Sequence, residues 1–414
     1  MRASGVICEF NPFHNGHAYL LSRMRREVGE DGVVICLMSG RFVQRGEAAM
    51  ADPYLRARMA LAGGADLVLE LPFPWSAASA EHFAFAGVEI LSRLGIDTLA
   101  FGSECGDEAK LTAAARVIDS PAFGEIYAAL CRRGMGTTAA YAEALKQAAS
   151  AEGTTLTDDP PSSNDLLGIA YMRAILRRRA EGLCPPSPLV VTRLGSGYRE
   201  DVLTEGVYPS ATALRILLRE AASDPHALSA MLAGTMPDGA LDVLLDGIRE
   251  ESAPLWGERL MPFYHALYRL KAPDDLAGVA EWGGGLAGHI CRVAREAPTP
   301  EAFFDGLRTK QYTDARLRRA LLFGALGVTE EDLRALPHFV SLLAATKRGC
   351  AYLKAWQRAH RDADEDFSVV TKPADAPKGH TRDLAERADA LFTLCYPHPT
   401  SAGHLYTKTP FIQG

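Results

Sequence analysis

Along the first hundred residues, short apolar runs alternate with stretches of helical spacing. Gly5-Val6-Ile7-Cys8, Val33-Val34-Ile35-Cys36-Leu37-Met38, Ala65 to Leu71 and Thr98-Leu99-Ala100-Phe101 are near-continuous apolar runs, the pattern of strands buried on both faces. Between them Ala18, Leu21 and Met24 recur at helical intervals, and helical periodicity returns from Ala77 to Leu94. Asp52-Pro53 places an acidic cap before a proline at the first helical position, opening a helix from Tyr54 to Ala62 that Gly63-Gly64 stops. Strands and helices in this alternation predict a parallel sheet covered on both faces. Ligands of such sheets sit beyond the carboxyl ends of the strands. The loops at 9–16, 39–52, 70–76 and 102–107 all lie there.

From about Leu111 the chain turns helical, with long Ala/Leu/Arg patterns at 121–133, 138–151 and 164–182. Leu189-Val190-Val191-Thr192 reads as one more strand of the same sheet, and Ser210 caps a helix through Leu218. Beyond about 225 the pattern is Ala, Leu, Glu and Arg at helical spacing, broken by Pro254, Pro262 and Gly283-Gly284-Gly285. The final forty residues, rich in Pro, Gly, His and Thr, read as extended wrapping. The predicted fold is therefore α/β: a Rossmann-like parallel sheet over 1–222, with a helical insertion at about 111–182, followed by a mainly helical domain over 223–414.

Composition narrows the class. With 414 residues, 48% hydrophobic and 23% charged, the chain is neither disordered nor fibrous. A net charge of −7 excludes a wholly basic nucleic-acid coat but leaves room for a local basic face. Eight cysteines never form CxxC, so reduced thiols are expected and no metal site is predicted. No signal-peptide core and no 18-residue apolar run occurs, which predicts a cytoplasmic protein without membrane contact.

The strongest chemical signal closes the first strand: Phe10-Asn11-Pro12-Phe13-His14-Asn15-Gly16-His17. A helix is expected to begin at His17, so both imidazoles and a helix N-terminus meet in one pocket. Unpaired N–H groups and the positive dipole end hold phosphate there, and Gly16 allows close backbone approach. The imidazoles can donate hydrogen bonds to charge developing on an α-phosphate. Histidines that merely satisfy loop backbone are the competing explanation; the strand-to-helix position favours chemistry.

This HxGH segment resembles the signature of the nucleotidyltransferase superfamily. Together with Met38-Ser39-Gly40-Arg41-Phe42-Val43-Gln44-Arg45-Gly46-Glu47 and Gly64 to Pro72, it resembles one branch, the bacterial tRNA(Met) cytidine acetate ligase family. Similarity continues through Phe101-Gly102-Ser103-Glu104, Asn164 to Ile169, Thr192-Arg193-Leu194-Gly195 and Tyr208 to Arg215, then Lys310 to Thr313, Arg316 to Arg319, Ala344 to Gly349 and Thr371-Lys372-Pro373. It thus covers essentially the whole chain. Pro53 and Cys105 depart from the family pattern, at loops 39–53 and 102–107.

The resemblance implies an enzyme that activates acetate with ATP to acetyl-adenylate. It then acetylates N4 of the wobble cytidine of elongator tRNA(Met). His14 and His17 are the expected catalytic residues. ATP is expected along Ile7, Cys8, Glu9, Phe10, Asn11, Pro12, Phe13, His14, Asn15, Gly16, His17, Ala18, Tyr19 and Leu20, and at Gly102, Asn164 and Arg193, with Mg²⁺ on its outer phosphates. Read without the family, Gly102 is either a turn glycine or a space for the nucleotide. Asn164 is either a helix cap or a nucleotide contact, and Arg193 is either a solvated arginine or a phosphate fork. Ser210, Thr212 and Arg215, at a helix start, suit the β- and γ-phosphates.

Three basic groups stand out: Arg23/Arg25/Arg26, Arg173/Arg177/Arg178/Arg179, and Lys310/Arg316/Arg318/Arg319 with Tyr312 between them. The third reads as a phosphate-tracking face with a stacking tyrosine, which the resemblance makes tRNA-binding; charge runs otherwise are usually solvated helix faces, the reading kept for the first group on the first helix. The expected partners are tRNA and acetate, with no protein partner. The alternative is an adenylyltransferase acting on a small phosphorylated metabolite, which would not need so long a helical extension. A non-catalytic RNA-binding protein would not need the two histidines.

Overall fold

The computed structural model describes residues 1–153, 161–193, 210–220, 225–360, 367–398 and 400–414. The motif residues Leu194, Gly195, Tyr208 and Pro209 lie outside them. The five expected strands form: β1 (Ala3–Cys8), β2 (Val33–Ser39), β3 (Leu67–Leu71), β4 (Thr98–Ser103) and β5 (Ser187–Thr192). They pair in parallel in the order β5-β4-β1-β2-β3.

Helices α1 (Asn15–Val28), α2 (Pro53–Ala62), α3 (Ala80–Arg93), α4 (Glu108–Ile118), α5 (Pro121–Arg132), α6 (Thr137–Ala151), α7 (Ser163–Ala180) and α8 (Ala211–Glu220) follow the spacing read from the sequence. Alternation along the strands explains the unbroken apolar runs. Val6, Cys8, Val34 and Cys36 share a core with Leu21 and Met24 of α1 and Leu55 and Met59 of α2. Ile7, Ile35 and Leu37 face the opposite core with Phe83 of α3 and Ile175 of α7. Asp52 caps α2 by accepting from the Leu55 N–H at 2.8 Å, with Pro53 at the first helical position.

Two expectations need correction. The half beyond residue 223 is mainly helical but also extends the sheet. β6 (Phe339–Thr346) pairs antiparallel with β3, and β7 (Ser368–Val370) and β8 (Phe411–Gln413) lie parallel on β6. The last forty residues are not simply extended, since His380–Phe392 is a helix. Its Leu384, Ala388, Leu391 and Phe392 recur at helical spacing and are buried, a period masked by the polar residues between them.

The loops at the carboxyl edge are built into this second half. Phe42, Val43, Phe73 and Ala77, following β2 and β3, lie in one core with Tyr268, Trp282, Phe323 and Phe392. Buried Arg41 bridges Glu70 of β3 and Asp389 of the C-terminal helix, donating to Asp389 Oδ2 at 2.9 Å. Gly40 makes room for this pairing, because a Cβ there would strike the Glu70 carboxylate. Several family-like segments beyond 300 are helix starts. Thr313 caps Asp314–Leu326 and Thr346 caps Lys347–Ala359.

Candidate active site

A cavity opens at the carboxyl ends of β1, β4 and β5. Its wall takes in Ile7, Cys8, Glu9, Phe10, His14, Gly16, His17, Tyr19, Leu20, Gly102, Asn164, Arg193 and Ser210, residues up to some 200 positions apart in the chain that the sheet brings together. Asn11, Pro12, Phe13, Asn15 and Ala18 are not part of that wall. Asn11 instead accepts from the Met50 N–H at 2.7 Å, Phe13 is fully buried, and Asn15 Nδ2 donates to the Gly234 carbonyl at 2.7 Å.

Helix α1 begins at Asn15, two residues earlier than expected, because His14 is its cap. The His14 Nδ1 accepts from the Gly16 N–H at 3.0 Å, and the His17 Nδ1 accepts from the His14 N–H at 3.3 Å. This reciprocal capping has a chemical consequence. A neutral imidazole whose Nδ1 accepts must carry its proton on Nε2, so both rings keep an Nε2–H for a ligand. The rings stack at 3.7 Å, and Phe10 packs on His17 at 4.8 Å. Burial, reinforced by Arg193, pulls His14 down to about 3. His17 is held well below the ordinary histidine range by burial, then by His14 and Arg193. The pair therefore acts as two neutral donors at neutral pH.

That depression makes folding sensitive to acid. Below about 6.5 the unfolded histidines bind protons that the folded pair refuses, so stability falls as pH drops from 6.5 toward 3. The slope is about 1.4 kcal/mol per pH unit for each histidine. Urea unfolding at pH 6.5 and 5.5 is expected to show the wild type losing at least about 1 kcal/mol more than a His14→Asn/His17→Gln variant. Parallel losses would refute the depressed values.

The opposite rim is organised by Glu104. Its carboxylate accepts from Asn164 Nδ2 at 2.6 Å and from the Ser162 hydroxyl, and pairs with Arg193 at 3.4 Å. Asn164 is therefore not the helix cap: Ser162 is, accepting from the Asp165 N–H at 3.1 Å. Asp165 ties the rim together by accepting from the Ser103 hydroxyl at 2.5 Å and the Cys105 N–H at 3.2 Å. Gly102 leaves room for Arg193, whose Cγ would lie 3.2 Å from a Cβ there, a contact that would push the arginine side chain aside by a few tenths of an ångström. Ser210 caps α8, its hydroxyl accepting from the Ala213 N–H at 3.1 Å, and faces the cavity. Thr212 and Arg215 do not. They line a neighbouring groove, with Arg215 donating to the Asn11 carbonyl at 2.8 Å.

Sequence reasoning gave no role to Glu104, Gln44 or Arg56. Gln44 reaches the cavity because its N–H donates to Glu9 Oε1 at 2.9 Å, and burial pushes the Glu9 carboxyl up. Only the family-like loop sequence flagged Glu104 and Gln44. Arg56 lies in an unremarkable helical stretch.

The third basic group is partly engaged within the chain. Tyr312 is buried, its hydroxyl donating to the Gly284 carbonyl at 2.7 Å, so it offers no stacking platform. Arg319 pairs with Glu281 at 2.8 Å, and Arg316 lies over the Tyr312 ring while donating to the Gly283 carbonyl. Lys310 alone of the four is exposed. In the second group Arg173 pairs with Asp119 and Arg178 with Glu89. Among the described residues no cluster of three His, Cys, Asp or Glu side chains could cage a metal, and no helix is long and apolar enough to cross a membrane.

A helix N-terminus carrying the HxGH pair, at the edge of a Rossmann-like sheet, defines a nucleotidyltransferase. Residues 1–405 match the model of the HIGH Nucleotidyl Transferase family. Within that class the chain belongs to the tRNA(Met) cytidine acetate ligase family. It is 32% identical to the protein of that name from Acetivibrio thermocellus, with all of both chains covered. It is 35% identical to that from Syntrophotalea carbinolica, over 87% of this chain and 84% of that one. The fold matches Thermotoga maritima TmcAL, solved as the apo protein (TM-score 0.86, 26% identity, 100% and 99% covered) and bound with alpha-thio ATP (TM-score 0.84, 26% identity, both chains fully covered).

Proposed function

We propose that this chain is an ATP-dependent ligase that activates acetate as acetyl-adenylate and acetylates N4 of the wobble cytidine of elongator tRNA(Met). The observation that carries the reading is the pair of neutral Nε2–H donors at the N-terminus of α1, in a chain similar throughout to proteins named for this reaction. An acetate oxygen attacks the α-phosphorus in line, and the bond to the β-phosphate oxygen breaks to release pyrophosphate. His14, His17 and the α1 N–H groups stabilise the charge gathering on the α-phosphate oxygens. Most of the acceleration comes from positioning and electrostatics. The N4 amine then attacks the acetyl carbonyl, and the mixed anhydride breaks to release AMP.

Gly102 and Asn164 hold the nucleoside end, Arg193 pairs with the triphosphate, and Ser210 with the α8 N-terminus receives the outer phosphates. Mg²⁺ enters this reading only as the ion that the triphosphate carries, since the described residues offer it no cage. The substrates suit a cytoplasmic enzyme, and the half beyond residue 223 is its RNA-binding part.

Pyrophosphate release with ATP is expected to require acetate, and labelled acetate to appear in tRNA only when tRNA is present. Release that needs a phosphorylated metabolite instead would overturn the reading. Arg193→Ala is expected to raise the ATP dissociation constant at least about tenfold by calorimetry while tRNA affinity changes little, because one charge-assisted contact is lost. Unchanged ATP affinity would leave Arg193 as no more than the partner of Glu104.

A further inference from the structure

Beside the nucleotide cavity runs a groove of about 490 Å³, a volume in the range that takes one small ligand. The two spaces share thin walls. Gln44 faces the cavity while Gly46, Glu47 and Ala48 face the groove, and Ser210 faces the cavity while Thr212 and Arg215 face the groove. Two partly buried aromatic rings line the groove, one guanidinium group lying against Trp256 and two against Phe304. Arg219 lies 4.2 Å from the Trp256 centroid, and Arg308 and Arg318 lie 5.1 and 5.2 Å from that of Phe304.

Charge in the groove is balanced rather than basic. Arg215, Arg219, Arg308 and Arg318 face Glu47, Glu258, Glu301 and Asp305, several of them already paired, as Arg219 with Glu258 at 2.8 Å and Arg318 with Glu47 at 3.0 Å. A surface that tracks phosphates would be positive. Flat rings, guanidinium planes and carboxylate acceptors side by side suit instead one unstacked base with an exocyclic amine.

We infer that this groove receives the unpaired acceptor cytosine of the RNA substrate, stacked against Trp256 and Phe304, with its amine toward the wall shared with the nucleotide cavity. The inference rests on the functional reading above and adds where the base is read. That reading requires an amine to approach an acetyl group formed in the cavity, and the groove abuts it across the 44–48 loop. Arg316 and Arg319 of the third basic group are engaged with Glu281 and the Gly283 carbonyl, whereas Arg318 of the same group turns to the groove and lies against Phe304.

The test uses the full-length protein and an RNA hairpin with one unpaired cytosine in its loop, beside the same hairpin carrying uracil there. Trp256→Ala and Phe304→Ala are each expected to weaken hairpin binding at least about tenfold, since a stacked base is lost. The slope of log affinity against log salt should stay the same, and the cytosine-over-uracil preference should collapse. Arg219→Gln, a change at an exposed side chain, guards against misfolding of the aromatic variants and should reduce the same preference. Acetyl transfer should fall at least tenfold more than acetate-dependent pyrophosphate release. Variants that bind and discriminate like wild type would overturn the groove assignment, as would a loss that appears only as a shallower salt slope. A wild-type protein that releases pyrophosphate with acetate but neither binds nor acetylates RNA would overturn the functional reading itself.

Discussion

Replacing both His14 and His17 is expected to lower acetate-dependent pyrophosphate release by about three orders of magnitude or more. Each ring supplies one preorganised donor from a buried site, and loss of one such donor typically costs about 10²–10³ in rate, or roughly 3–4 kcal/mol of barrier. The two effects need not add, because stacked rings at 3.7 Å act as a unit. Alanine would also remove the caps of α1, at about 1 kcal/mol each. His14→Asn avoids that confusion, because asparagine can still accept from the Gly16 N–H while its shorter amide does not reach the position of the imidazole Nε2–H. Steady-state release beside thermal unfolding separates the two contributions. Turnover within tenfold of wild type in a folded His14→Asn/His17→Ala variant would remove the histidines from the chemistry.

The second large effect is expected at Arg56, which is fully buried in α2. Its guanidinium donates to the carbonyls of Glu9 at 2.6 Å, Ser39 at 2.9 Å and Ala51 at 3.1 Å, and also to that of Gly40. One side chain thus fastens the ends of β1 and β2 and the loop before α2. Burial pushes its pKa down to about 10, so it stays charged at neutral pH. Arg56→Met keeps the volume but leaves several buried carbonyls without donors. Unfolding free energy in urea should fall by about 3–5 kcal/mol. Arg56→Lys should recover only part of this, since one ammonium cannot reproduce the fork. A loss below about 1 kcal/mol for Arg56→Met would refute the clamp.

The first five strands and the helices between them were legible because both faces of a parallel sheet are buried, leaving continuous apolar runs such as Val33 to Met38. The HxGH segment was legible because its chemistry is local: two rings and a helix N-terminus within four residues. β6 was not. Phe339-Val340-Ser341-Leu342-Leu343-Ala344-Ala345 has Leu and Ala that also suit a helix, and its strand state depends on pairing with β3, some 270 residues away. The basic group at Lys310–Arg319 is ambiguous in sequence for a related reason. A run of arginines reads the same whether it faces solvent or carboxylates such as Glu281, and only packing distinguishes the two.

The sequence by itself determined the five parallel strands, the site-bearing turn and the family, since periodicity and short-range chemistry are written in consecutive residues. The tertiary structure alone decided that His14 and His17 cap each other and so keep their protons on Nε2, and that Glu104 joins Asn164 to Arg193. It also decided that Arg56 holds three segments at once and that arginine and aromatic side chains gather beside the cavity lined by His14 and His17. Each of these depends on contacts between groups distant in the chain, or on the burial and geometry of a local pair, and neither is specified by spacing along the sequence.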